Sequence, residues 1–140
     1  MAKDSDGSFE GGCLCGQVRY SVPEPPHAVA VCHCRDCQKQ SGSAFSLIAM
    51  YPRDGVAISG TLSHIGVTSE GGNPVDRYFC GQCGSPIYSE VKSLRDAGLI
   101  LIKAGTLDDP LRIAPGAHYW VSSKQDWVAL PADAVCNLRQ

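Results

Sequence analysis

The sequence lacks any apolar run long enough to cross a membrane. Stretches such as Leu99–Ile102 are strand-sized, against the roughly 20 residues a spanning helix needs. Neither sign of charge dominates: 12 basic residues against 14 acidic give a formal net charge of −2. That leaves no general electrostatic drive toward nucleic acid or an anionic membrane, and neither is expected as a partner. The opening segment, Met1–Gly12, is polar, acidic and glycine-rich, without the apolar h-region of an export signal. There is no internal repeat, no low-complexity tract and no linker that would divide domains. With 44% hydrophobic and 19% charged residues, the composition excludes wholesale disorder and fits one globular domain. Residues 1–10 are expected to be a flexible lead, and 11–136 the domain.

What the sequence does have is eight cysteines in 140 residues. That density is below a disulfide scaffold but high for a reduced protein, so spacing decides the chemistry. Seven fall in three clusters: Cys13-Leu-Cys15, Cys32-His-Cys34-Arg-Asp-Cys37 and Cys80-Gly-Gln-Cys83. Sulfurs one to three residues apart can share one ion, whereas disulfides gain most by closing long loops. Gly81 and Gly84 allow the tight turn of a zinc knuckle, in which backbone N–H groups face the sulfurs. Metal is therefore expected. Free thiols and no export signal together point to the cytoplasm.

Seven ligands do not make two closed tetrahedra. Two pairs, Cys13/Cys15 and Cys80/Cys83, complete a four-thiolate structural site. Cys32, Cys34 and Cys37 remain as a trio whose fourth position is open, as a reaction centre requires. Three alternatives stay open on spacing alone. Cys136 could close the trio, a histidine (His33 or His118) could do so, or Cys32/Cys34 could pair with Cys80/Cys83. His33 lies between two ligands, so its ring is expected to point away from their metal.

Short segments rich in valine, isoleucine and aromatics, bounded by glycine or proline, read as strands: 17–22, 28–31, 44–50, 56–59, 75–79, 86–90 and 99–104. Only 34–40 and 89–97 read as helices. The expectation is an all-β domain whose sheets are tied by metal more than by a large core.

The order C-x-C-G, then C-H-C-x-x-C followed by Gln38-Lys39-Gln40-Ser41-Gly42-Ser43-Ala44-Phe45, then Tyr78-Phe79-Cys80-x-x-Cys83-Gly84-Ser85-Pro86 resembles the glutathione-dependent formaldehyde-activating enzyme family. His118-Tyr119-Trp120 and Lys124-Gln125-Asp126-Trp127 resemble its closing segment. The resemblance implies a mainly β, Mss4-like β-tent with zinc-tethered antiparallel sheets. It also implies two zinc ions per chain, structural at Cys13, Cys15, Cys80 and Cys83, and catalytic at Cys32, Cys34 and Cys37. The implied activity is that of a carbon–sulfur lyase joining formaldehyde to glutathione.

The trio suits that chemistry. Three thiolates make zinc a mild Lewis acid, better at holding a thiolate than at ionising water. A small-molecule thiol, glutathione or an adduct of it, is the expected partner. Arg35 and Lys39 are candidates for its carboxylates, and Ser41 and Gly42 for hydrogen bonds to it. His33 or His118 is a candidate proton donor. Trp120 and Trp127 read as core aromatics before substrate walls. A non-catalytic, zinc-stabilised binding module is the competing reading, since fold alone does not settle function.

Overall fold

The computed structural model describes residues 7–139. Two sheets dominate it. The smaller has the order β1-β2-β5, from β1 (Phe9–Gly12), β2 (Arg19–Val22) and β5 (Ala57–Ser59). The larger has the order β11-β10-β3-β4-β9-β8-β7-β6. It is built from β3 (Ala28–Cys32), β4 (Ser46–Pro52), β6 (Leu62–Thr68), β7 (Pro74–Cys80), β8 (Pro86–Val91), β9 (Leu99–Lys103), β10 (Ala117–Tyr119) and β11 (Val135–Cys136). Two short helices interrupt the strands, α1 (Arg35–Ser41) and α2 (Lys92–Asp96). The fold is mainly β, as the turn-punctuated apolar segments dictate.

Side chains alternate across a strand, so each face of the larger sheet has its own character. In the β4–β9 register Ala49 faces Ile102 and Tyr51 faces Ile100, and all four are fully buried. They pack with Phe9, Val18, Tyr20 and Val22 from around the smaller sheet to form the main core. Burying each large aliphatic there is worth about 1.5–3 kcal/mol. The other face carries Cys32, Ser46, Lys103, Ser89 and Arg77.

Several expectations shift in position. The helix expected over 34–40 forms as α1, capped by Cys34, whose sulfur accepts from Cys37 N at 3.2 Å. Gly42, at φ 67°, ends it in the left-handed conformation that glycine tolerates. The helix expected over 89–97 shortens to α2, because Ser89–Val91 continue β8. β6 escaped sequence reading: it is an edge strand, mostly exposed, and His64 and Gly66 break its apolar alternation.

Two expectations need correcting. The sheets are not wholly antiparallel, because β10 runs parallel to both β3 and β11. The chain reaches β10 after the irregular segment that follows β9, not through a hairpin, so its entry direction sets the pairing. Phe9 and Glu10 are not part of a flexible lead. Phe9 is buried in β1, edge-on to Tyr51 at 6.5 Å with the Arg112 guanidinium 3.8 Å over its ring. One aromatic in a glycine-rich acidic run gives no period by which to recognise a strand. The rest of that lead, 1–6, lies outside the described residues.

Candidate metal centre

Cys13 follows β1, Cys80 ends β7 and Cys83 sits in the β7–β8 turn. The fold brings these sulfurs together with that of Cys15, all within 4.8 Å of one another. Cys13 and Cys15 sulfurs are 3.6 Å apart, and Cys15 and Cys80 sulfurs 3.8 Å. Four sulfurs about 2.3 Å from one ion stand about 3.8 Å apart in a tetrahedron, so the spacing fits zinc. The donors around them fit thiolates. Val18 N points at Cys13 Sγ (3.3 Å), Cys83 N at Cys80 Sγ (3.4 Å), and Gln17 Nε2 at Cys80 Sγ (3.1 Å). The Ser85 hydroxyl, 3.3 Å from Cys83 Sγ, and backbone N–H groups pull that thiol down to about 5. Burial pushes the Cys80 thiol up, but Gln17 and the N–H groups of Cys83 and Gln82 bring it below its ordinary value.

Gln17 was not visible as a functional residue in the sequence. Its amide also donates to Thr61 O (2.6 Å) and accepts from Thr61 N (2.9 Å), fixing the sulfur's neighbour to the β5–β6 turn. Gly60 in that turn has φ +98°, and a Cβ there would run into the Gln17 carbonyl.

The other three clustered cysteines form a separate group. Cys32 ends β3, Cys34 caps α1 and Cys37 lies in its first turn, with all three sulfurs within 4.8 Å of one another. The division is 4 + 3. The crossed pairing of Cys32/Cys34 with Cys80/Cys83 does not occur. Hydrogen bonds from Cys32 and Cys34 pull the Cys37 thiol well below its ordinary range. Burial opposes this, and the Lys103 and Arg77 charges assist it. Cys32 is pushed up by its bonds to Cys34 and Cys37 and by burial. The Cys34 thiol is lowered by its bond with Cys32, but its bond with Cys37 and burial leave it raised. Both groups could hold a metal ion.

No candidate for closing the trio joins it. Cys136 is exposed on β11, its sulfur 3.6 Å from Ala134 O. The His33 ring turns away as expected: its Nε2 meets His118 Nδ1 at 3.0 Å, and the stacked rings have centroids 5.3 Å apart. Both rings are buried, and burial lowers both pKa values. Gln38, unmarked by any spacing signal, donates from Nε2 to His33 O (2.8 Å) and Ser123 O (3.0 Å), so it fastens α1 to the closing segment.

The four residues expected to contact the thiol all belong to α1 or its C-cap. Arg35 and Lys39 are exposed on α1, and the Arg35 guanidinium bonds Gln38 Oε1. Ser41 Oγ donates to Phe45 O (3.1 Å) and Gly42 N to Gln38 O (2.9 Å), so both serve the far end of α1 from Cys34. The two tryptophans part company. Trp120 is buried against Cys34 and Cys37, and Trp127 is 73% exposed, its Nε1 bonded to Gln125 Oε1 at 2.7 Å. Trp120 has φ 58°, a left-handed conformation costing a bulky residue roughly 1–2 kcal/mol. Its N–H bonds Arg139 O (2.7 Å), and the Arg139 guanidinium lies 4.6 Å over its ring.

A relative in Penicillium rubens, named for glutathione-dependent formaldehyde activation, is 28% identical over 126 residues, 86% of this chain and 58% of its own length. Similarly named proteins of Podospora anserina and Emericella nidulans are 27% and 24% identical, each over 61% of this chain. The chain thus spans about half the length of these curated relatives. A crystal structure of a Rhodobacter sphaeroides protein superposes with a TM-score of 0.56 at 17% identity, covering 76% of this chain and 97% of that one. That likeness concerns the fold and is consistent with the Mss4-like architecture. The family model described as "Glutathione-dependent formaldehyde-activating enzyme" matches residues 8–123, and the chain belongs to that family.

Proposed function

We propose that this chain is a zinc-dependent carbon–sulfur lyase, or thiol-adduct enzyme. It joins a glutathione-type thiol to a small aldehyde such as formaldehyde. Cys13, Cys15, Cys80 and Cys83 hold a structural zinc; Cys32, Cys34 and Cys37 hold a second one and leave a fourth position for the thiol. The observation that supports this reading is the separation of seven sulfurs into a group of four and a group of three.

Zinc at the trio supplies a Lewis acid that lowers the pKa of an incoming thiol and holds its sulfur. The chain's own residues do the rest. Trp120 and Gln38 lock α1 and the closing segment so that Cys34 and Cys37 keep their spacing. Cys34 Sγ accepts from Cys37 N, which stabilises negative charge on that sulfur. The thiol sulfur attacks the aldehyde carbon, forming the C–S bond while the C=O π pair moves to oxygen. The proton released by the thiol is returned to that oxygen, so no redox partner is needed. His33 and His118 each commit one ring nitrogen to the other, and we assign them to scaffolding.

We propose the cytoplasm as its compartment, a reading supported by eight cysteines that form no disulfide. Among the described residues no helix is long and apolar enough to cross a membrane.

The test is a glutathione titration of protein loaded with two cobalt ions, followed in the thiolate-to-metal charge-transfer bands. A saturable change at one of the two metals, then a hydroxymethyl thioether signal by NMR on adding formaldehyde, is the expected result. Two unresponsive tetrahedral sites would overturn the proposal.

A further inference from the structure

Two buried cations have no part in the chemistry above. Arg77 on β7 and Lys103 on β9 are 7% and 6% exposed. Among the described residues, neither forms an ion pair with a carboxylate. A buried charge without a partner costs several kcal/mol, so the fold must compensate these two in another way.

Sheet register shows how. Cys32 faces Ser46 across β3–β4, Ile48 faces Lys103 across β4–β9, Leu101 faces Ser89 across β9–β8, and Ser89 faces Arg77 across β8–β7. Alternation then puts Cys32, Ser46, Lys103, Ser89 and Arg77 on one face, away from Tyr51, Ile100 and Ile102. Lys103 Nζ donates to Ser46 Oγ at 2.7 Å, next to the Cys32 register position. Ser89 is 4% exposed, and its hydroxyl has no hydrogen-bond partner. Burial weakens the Lys103 ammonium, and Cys37, Cys32 and Cys34 support it; Lys103 and Arg77 in turn favour the Cys37 thiolate. On the α1 side Glu70 is exposed and Asp36 half-buried, so solvent screens the carboxylates there more than it screens these cations.

We propose that Arg77 and Lys103 are positioning residues that complete the charge balance of the three-cysteine cluster and fit it for one further anionic sulfur instead of a neutral ligand. This rests on the reading of the trio as a metal site. Three thiolates with one divalent cation carry a single net negative charge. Arg77 and Lys103 reverse it to a single positive one. A fourth ligand arriving as a thiolate makes the buried site neutral, whereas water or an imidazole leaves it charged. The substrate class is therefore a thiol that binds in its anionic form, and these two residues select for it.

The experiment uses full-length protein loaded with two cobalt ions: wild type, Lys103→Met, Lys103→Arg and Arg77→Met. Each is titrated with glutathione and separately with imidazole, a neutral donor, following the spectrum of the three-thiolate metal. The four-thiolate spectrum in the same sample reports folding. We expect Lys103→Met and Arg77→Met to bind glutathione roughly 10–100-fold more weakly while imidazole affinity is kept. Lys103→Arg should restore thiol binding. Glutathione binding as tight as wild type in both methionine variants overturns the proposal, as does an equal loss of both ligands, which marks a plain structural defect. Failure of both methionine variants to fold also overturns it, because the charges then serve the fold and not ligand choice. A wild-type protein whose second metal takes neither ligand instead removes the open-site reading itself, a result seen before any variant is made.

Discussion

The four-cysteine cluster joins segments 65 residues apart in the chain, whereas the three-cysteine cluster is drawn from residues 32–37 alone. The first has its sulfurs held by backbone N–H and amide donors, with Cys13 and Cys80 buried and Cys15 exposed. The second is packed against Trp120, and Cys32 shares a sheet face with the buried Lys103 and Arg77. One ligand type thus does two jobs, and loop length and surroundings separate them. An ion in the first removes much of the unfolded chain's freedom. An ion in the second restrains a segment so short that the unfolded chain can also bind it, which weakens its effect on stability.

The strongest way to break this contrast is at Cys80. It is fully buried, and Cys80→Ser removes a ligand of the long-range tether. Zinc binding in small domains is worth about 10–16 kcal/mol, and whole-domain stability is only about 5–15 kcal/mol. The variant should show no cooperative unfolding transition by circular dichroism. A transition within about 1 kcal/mol of wild type would end the structural assignment.

Trp120 gives the next largest effect. Trp120→Ala should cost about 3–5 kcal/mol in urea denaturation, because it empties the space against Cys34 and Cys37. Trp120→Gly should lose about 1 kcal/mol less than Trp120→Ala, since glycine adopts φ 58° freely. Equal losses would mean the left-handed conformation is not strained.

The cysteine clusters and most strands were legible because both leave short-range signals: ligand spacing for the first, β-branched runs between turns for the second. The grouping into four and three is the expected one, and the fold selects it over the crossed pairing that spacing left open. The polar row could not be read. Lys103 closes an otherwise apolar stretch, Leu99–Ile102, and only the β4–β9 register shows that it shares a face with Cys32 and Ser46. Arg77 lies 40 residues beyond Cys37 in sequence and reaches its vicinity only through strand order. Arg35 and Lys39 neighbour the trio in sequence and sit exposed on α1, the helix that Cys34 caps.

Cys37→Ser sharpens the comparison from the other side. It removes one of three ligands from a short local site, so stability should fall by no more than about 1.5 kcal/mol. Bound zinc, measured by elemental analysis, should fall from two per chain to one, and the response to glutathione should vanish. Unfolding on the scale of Cys80→Ser would show that the two clusters are equally structural.

The smallest effect concerns pH and separates the supports of the two clusters. His33 and His118 brace the trio's strand as a buried pair, and burial lowers both pKa values, with His118 and Lys124 lowering His33 further. The unfolded chain takes up protons near pH 6.5, while the folded rings resist until lower pH. Their contribution is therefore complete above about pH 6.5 and is lost as pH falls from there through the depressed folded values. His118→Phe removes one such group and leaves the four-cysteine site as it was. Acid weakening of that site is common to both proteins and cancels in the comparison. Unfolding free energy measured from pH 7.5 down to about pH 5.5 should fall more steeply for wild type than for the variant. Identical slopes would mean that the pair is already protonated in the fold, and the brace on the trio would then have to tolerate a buried charge.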